Sequence, residues 1–394
     1  MKNKHIKKIT AVTRVFFEGQ KCIRAVLEYD TVILNSSVSD SVFRVGGRTV
    51  TAAYASPEEN GKPGDGRFVI LELFPEEQGA LTYIGGNPWE GRGAQVIKPQ
   101  LSVEQAESLR GQSGEDIPAA AADVSNMVLN ELTDDFVQGS FEGLAYNLYI
   151  PKDYNPEKSY PLVQFIHDAS VCGKQPECTL AQGVGALIWI TQKAQEKHPC
   201  FVLAPQYDIP SIVDDDWNVD HRLEVGKRLL DKIVKEYHID TDRLYTTGQS
   251  MGCMASMVLN LRYPDLFAAS LFVAGQWDER LFSGSGLEKK NFWFINSMGD
   301  AKAFPGMNQI LVGLERDGAG IAREIWDAKA SNEELAAKAE KLIATGANMF
   351  YTPYAIESVA DGWHSDGGEH HVNTWRYAYC VDAIREWLFA QKKS

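Results

Sequence analysis

No stretch of this 394-residue sequence approaches the roughly 18 consecutive apolar residues that a membrane-crossing helix needs. Basic charge is also in short supply, with 39 Lys and Arg against 53 Asp and Glu and a net charge of −14. That balance gives no electrostatic footprint for nucleic acid and argues against an anionic membrane surface as partner. Cysteine is sparse: six residues, at positions 22, 172, 178, 200, 253 and 380. None forms a CxxC pair, so no structural zinc site is expected. Only Cys172 and Cys178 lie close together, and they could form a local disulfide. Cys200, Cys253 and Cys380 fall in apolar patterns and read as buried thiols. The run Asp214-Asp215-Asp216 lacks further ligands and reads as a solvated loop, not a metal site. A secretion signal is missing too. Met1–Lys8 is basic, but Ile9–Phe17 is broken by Thr10, Thr13 and Arg14, and no small-residue cleavage site follows. The chain as given is expected to be cytoplasmic, or secreted if a leader has been removed. No internal repeat is visible, and the 16 Pro and 33 Gly are spread evenly.

What is present divides into two periodicities. Residues 10 to about 100 alternate, as in Val12-Thr13-Arg14-Val15-Phe16 and Arg67-Phe68-Val69-Ile70-Leu71-Glu72-Leu73. Turns such as Pro63-Gly64-Asp65-Gly66 separate the runs. Short strands at this spacing predict an all-β sandwich. The polar, Ala-rich stretch from about 101 to 138 reads as a partly helical connector. From about 140 the pattern changes. Leu162–His167, Cys200–Ala204, Leu244–Thr247, Leu271–Ala274 and Phe292–Ser297 are continuously apolar, as strands buried on both faces are. Helical spacing separates them, at Ala181–Glu196, Leu223–Tyr237 and Met251–Leu261. Ser331 to Glu334 forms a capping box, and the chain closes on a helix through Trp375, Ala378, Val381, Ile384 and Leu388. Alternating strands and helices predict a mostly parallel sheet with helices on both faces.

The sharpest motif is Gly248-Gln249-Ser250-Met251-Gly252, lying between the strand Leu244–Thr247 and the helix that follows. A tight strand-to-helix turn strains the serine backbone and exposes its hydroxyl, and glycines flank it because larger side chains would collide with neighbouring elements. A serine hydroxyl needs a general base, and the base an orienting acid, in the chain order Ser, acid, His for this fold. Asp300 ends the strand Phe292–Ser297 at the carboxyl edge, where ligands bind; Asp361, Asp366 and Glu369 are lesser candidates. Three histidines follow: His364, His370 and His371. Two adjacent histidines cannot both face Ser250, and His371 is taken as the base with His370 in reserve. The oxyanion hole needs two backbone N–H donors. Met251, after the nucleophile, supplies one. Ala169, in His167-Asp168-Ala169 after the strand Leu162–His167, supplies the other. Asp168 stands where many hydrolases have glycine, and its carboxylate would oppose an oxyanion unless turned away. Asp168, Gln249 and Trp277 are candidate substrate-pocket residues, and Trp277 is equally at home in a core.

At these residues the sequence resembles bacterial carboxylesterases with an immunoglobulin-like amino-terminal domain. These are relatives of the polyhydroxybutyrate-depolymerase and feruloyl-esterase type of α/β-hydrolase. Leu27-Glu28-Tyr29-Asp30 and Phe43-Arg44-Val45 are similar to the immunoglobulin-like part. Tyr149-Ile150-Pro151-Lys152-Asp153-Tyr154 and Tyr160-Pro161-Leu162 lead into the oxyanion strand as in the family, and Arg262-Tyr263-Pro264-Asp265 follows the elbow. Gly299-Asp300 with Phe304-Pro305-Gly306-Met307-Asn308 is similar to the acid loop. His371 before Thr374-Trp375, with Trp387-Leu388-Phe389, is similar to the carboxyl terminus. The resemblance implies an α/β-hydrolase fold over residues 139–394 behind a β-sandwich over residues 1–120. It supports Ser250, Asp300 and His371 as the triad, and carboxylic-ester hydrolysis of a small-molecule substrate with no metal or organic cofactor.

Two other readings compete. A prolyl-oligopeptidase type of peptidase would carry a β-propeller, with repeats of roughly 40–50 residues that are not seen. A non-catalytic binding protein on the same fold is opposed only by the intact triad. The hydrolase half has no obvious long insertion to act as a lid, so residues 1 to about 120 are expected to pack against it and shape one wall of the cleft. The alternative is a separate module that binds a carbohydrate or another protein, sugar binding being less favoured because no stripe of exposed aromatics is seen.

Overall fold

The computed structural model describes residues 4–360 and 368–393, and its chain folds as two compact units. The first comprises Met1–Ile84 and Val96–Asp135 and is built from β-strands. Gly19, at φ 118°, closes the turn between Ile6–Phe16 and Gly19–Ile33, the two longest strands of a five-stranded sheet. Gly66–Leu73 and Val50–Ser56 extend that sheet on one side, and Met127–Asn130 pairs parallel to the first strand on the other. A three-stranded sheet of Phe43–Val45, Ser102–Gln105 and Ala120–Val124 supplies the second layer. Alternate residues of both, among them Leu27, Leu71, Phe43 and Val103, make one apolar core. The buried Tyr29 hydroxyl donates to Gln105 Oε1 at 3.0 Å across it, so neither polar group is left unpaired.

The stretch 101–138 is not a helical connector. Its residues supply strands at Ser102–Gln105, Ala120–Val124 and Met127–Asn130. Their short apolar alternation finds partners in strands from the beginning of the chain, and that long-range pairing overrides the helix propensity of its alanines.

The second unit comprises Gly85–Gln95 and Phe136–Ser394. Its nine-stranded sheet runs, in spatial order, through Val137–Phe141, Leu144–Tyr149, Phe201–Gln206, Tyr160–Ile166, Ile239–Gln249, Ala269–Val273, Asn291–Ile295, Met349–Tyr351 and Ile321–Arg323. The first two strands are antiparallel to their neighbours and the rest are parallel. The central strands are buried along their whole length, Tyr160–Ile166 and Ala269–Val273 at every residue. Helix Arg222–Glu236 packs by an apolar stripe of Leu223, Leu229, Leu230 and Ile233. Helix Met251–Arg262 is buried nearly all round. The Ser331 hydroxyl caps Asn332–Ile343 by accepting from Glu334 N–H at 3.2 Å.

Two expected helices are broken. Ala181–Glu196 becomes Cys178–Ala181, a 3₁₀ turn at Leu187–Ile190 and Gln192–Lys197. Gly185 sits where a Cβ would come within 2.3 Å of the Phe165 ring, so packing against the sheet sets the backbone there. The closing helix divides into Gly368–Ala378 and Asp382–Ala390, with the fully buried Tyr379 and its carbonyl, bound by Arg385, at the break. No helix among the described residues is long and apolar enough to cross a membrane.

Candidate active site

The carboxyl edge of the parallel strands gathers the site. Ser250 follows Ile239–Gln249 directly and caps helix Met251–Arg262. Its φ of 51° and ψ of −119° place a β-substituted residue in a strained region, held by Ser250 N–H donating to Val273 C=O at 3.1 Å and Met254 N–H to Ser250 C=O at 3.0 Å. A Cβ on Gly252 would lie 1.9 Å from the Ile166 carbonyl oxygen, and one on Gly248 2.5 Å from the same atom. Both flanking glycines are therefore required by the close passage of the neighbouring strand.

The Ser250 hydroxyl lies 2.8 Å from His371 Nε2, and His371 Nδ1 lies 2.6 Å from Asp300 Oδ2. His371 is on helix Gly368–Ala378, where its ring meets Trp375 edge to face at 5.3 Å. Asp300 follows strand Asn291–Ile295 and precedes helix Ala303–Arg316; its Oδ1 accepts the N–H groups of Lys302 at 3.1 Å and Ala303 at 2.9 Å. Burial opposes ionisation of this carboxyl. The hydrogen bond and charge of His371 and the two backbone amides outweigh it and hold the pKa below the ordinary aspartate value. Asp300 is thus an acceptor only, which fixes the imidazole proton on Nδ1 and leaves Nε2 to accept from the serine.

His370 faces the other way. It is fully buried, and its Nδ1 is 3.1 Å from the Ser297 hydroxyl. Glu369 starts the same helix and is exposed. Asp361, His364 and Asp366 lie outside the described residues.

Ala169 and Met251 both line a cavity of about 270 Å³ that opens at Ser250 and His371. Met251 is the first residue of its helix, where an N–H has no acceptor within the helix. Asp168 is turned away from this space. Its Oδ1 accepts from Ser170 N–H at 2.9 Å and the Ser170 hydroxyl at 2.5 Å, and its Oδ2 from Gln249 Nε2 at 3.1 Å. The loop that carries it is fixed by His167, which is fully buried. Tyr207 N–H donates to His167 Nε2 at 2.9 Å, so Nδ1–H donates to the Asp168 carbonyl at 2.7 Å. Burial lowers the His167 pKa, against the pull of Asp168.

Three expected pocket residues are not among the cavity's described lining. Asp168 and Gln249 are buried in a side-chain network with Gln182. Trp277 is 3% exposed and packs edgewise on Trp217 at 5.3 Å. Trp89, Val213, Met254 and Gln276 line the cavity instead, and their sequence contexts carry no signal for it. The Asp214–Asp216 run is a rim. Asp214 closes its own loop through Asn218, and Asp215 pairs with Lys302 Nζ and accepts from Gln276 Nε2 at 2.9 Å. No cluster able to hold a metal ion occurs among the described residues. Cys172 and Cys178, close enough in sequence for a local disulfide, do not form one, and all six cysteines are free. Cys172 Sγ faces Met251 Sδ at 3.9 Å while Cys178 Sγ faces Gln175 Oε1 at 3.9 Å, so the two sulfurs point to different neighbours.

Residues 143–378 match the family model described as "Putative esterase", and residues 8–118 match the "Esterase Ig-like N-terminal domain". A solved thermostable esterase is similar over 98% of this chain and 100% of its own, with 26% identity and a TM-score of 0.80. Acetylxylan esterase A of Emericella nidulans is 29% identical over 79 residues, which span 26% of that enzyme and 16% of this chain. The feruloyl esterase module of Clostridium thermocellum covers 63% of this chain and 85% of the module at 13% identity and a TM-score of 0.43. The fold is that of an α/β-hydrolase carrying an immunoglobulin-like β-sandwich at its amino terminus.

Proposed function

The chain belongs to the esterase family that its second unit matches, and from that premise we propose that it is a serine carboxylesterase working through Ser250, His371 and Asp300. The observation that carries this reading is the unbroken chain of contacts from Ser250 Oγ through both imidazole nitrogens to the Asp300 carboxylate, at 2.8 and 2.6 Å.

His371 Nε2 takes the proton of Ser250 Oγ as that oxygen bonds to the ester carbonyl carbon. The tetrahedral oxyanion falls to the N–H groups of Met251 and Ala169, preorganised where charge develops. Asp300 stabilises the imidazolium without taking its proton. On collapse the C–O bond to the alcohol breaks, and the leaving oxygen takes the proton from Nε2. Water then attacks the acyl-enzyme by the same route and releases the acid. The turned-away Asp168 leaves the oxyanion site without an opposing charge.

Ser250→Ala is expected to lower kcat by several orders of magnitude with the fold intact, and to abolish labelling by a fluorophosphonate probe. Near-normal turnover by a folded variant would end this reading.

A further inference from the structure

Trp89 is the most exposed large apolar side chain of the described residues, at 79%, yet it lines the cavity at Ser250 and His371. It comes from the segment Gly85–Gln95, which precedes the rest of the second unit by some forty positions of sequence yet belongs to it by contact. We propose that Trp89 is a specificity-determining residue that selects esters carrying a planar ring. This rests on the esterase reading above and deepens it.

The indole is held out by a rigid turn. Asn87 N–H donates to Arg92 C=O at 2.6 Å and Arg92 N–H to Asn87 C=O at 2.9 Å. The Asn87 side chain caps the 3₁₀ turn Pro88–Glu90 by accepting from Glu90 N–H, Pro88 is buried, and Gly91 closes the turn at φ 71°. The base of the turn is fastened to the loop after Ala169. Gly86 N–H donates to Ser170 C=O at 2.6 Å and Ala94 N–H to Cys172 C=O at 2.9 Å. The backbones touch closely there: a Cβ on Gly173 would meet Ala94 N at 3.0 Å.

A large apolar face kept in water on a rigid support, beside a nucleophile, has ligand contact as its physical use. Its flat surface favours an offset-stacked ring over a flexible chain. The remaining apolar lining, Ala169, Val213, Met251 and Met254, is contributed by the body of the hydrolase unit. The cavity volume of about 270 Å³ suits one ring with a short partner group.

The test compares kcat/KM of the full-length protein, Trp89→Ala and Trp89→Phe on two matched pairs. Benzyl acetate against butyl acetate places the ring on the alcohol side; methyl phenylacetate against methyl hexanoate places it on the acyl side. Trp89→Ala should lose about tenfold on the ring-bearing ester of at least one pair relative to its open-chain partner, as stacking at this strength implies. Trp89→Phe should restore most of that loss. A ring-to-chain ratio that moves by less than about threefold in both pairs overturns the proposal while leaving the esterase reading intact. Wild-type protein that hydrolyses none of the four and resists the fluorophosphonate probe overturns both.

Discussion

His370 and His371 leave one helix in different directions, and only packing decides which of them meets Ser250. Adjacent residues on a helix point about 100° apart, so one had to face away from Ser250. Helix geometry does not say which, and in the sequence only the family-like spacing of His371 to Thr374-Trp375 favoured it. His370 fills the space under the acid loop. A Cβ on Gly299 would fall 2.5 Å from its ring, and the Ser297 hydroxyl bridges to it while accepting Gly299 N–H at 3.1 Å. His370 therefore packs against the turn that carries Asp300. Gly299→Ala should crowd that ring, costing about 1–3 kcal/mol and lowering Tm by several degrees. It should also lower kcat more than it raises KM, because Asp300 shifts with the loop. Unchanged melting and turnover would show that the loop moves aside freely. Ser250 was readable because its motif states a backbone geometry, and Asp300 because a buried strand ends just before it. Trp277 stayed open between pocket and core because a tryptophan in either has the same sequence context, and the structure buries it.

At the scale of elements, the strands buried on both faces were readable from their continuous apolar runs, though their ends differ by a few residues. The three-residue strands Ile321–Arg323 and Met349–Tyr351 were not, since runs that short carry no period. The loop after Tyr160–Ile166, which carries the proposed oxyanion donor Ala169, shows a constraint that sequence also left hidden. His167 is locked as the neutral Nδ1–H tautomer between the Asp168 carbonyl and Tyr207 N–H. Protonation would set a second ring N–H against the Tyr207 amide. Burial depresses its pKa below the ordinary value of 6.5. The unfolded chain therefore binds a proton before the folded one does, and stability rises with pH across that interval. The stabilisation is complete above about pH 6.5 and is lost progressively as pH falls below it. Urea unfolding from pH 7.5 to 5 should show a wild-type loss of up to about 1.4 kcal/mol per pH unit beyond that of His167→Gln, which keeps an acceptor but does not titrate. Parallel curves for the two proteins would remove His167 as the source.

Across the whole molecule, the chain does not respect a single boundary between its two periodicities. The alternating pattern of the first hundred residues and the apolar strands of the remainder were visible, but the excursion Gly85–Gln95 into the second unit was not. Its Asn-Pro and Glu-Gly pairs announce a turn without saying what the turn touches. The two bonds from Gly86 and Ala94 to Ser170 and Cys172 make that turn a brace for the loop bearing Ala169. Strands Tyr83–Ile84 and Gln95–Val96 are hydrogen-bonded neighbours, so the excursion can be replaced by a short Gly-Ser bridge without parting their ends. The bridged variant should keep both folded units and retain probe labelling at Ser250, because Ser250 and His371, the proposed nucleophile and base, are held by other elements. Its kcat should fall about ten- to a hundredfold on butyl acetate as well as benzyl acetate, less than the loss of an oxyanion donor outright, since Ala169 N–H is loosened and not removed. The loss on butyl acetate separates the brace from the ring selection assigned to Trp89, whose removal with the excursion spares the open-chain ester and only adds to the loss on a ring-bearing one. Full turnover on butyl acetate by the bridged protein would show that the oxyanion loop holds its shape without the excursion.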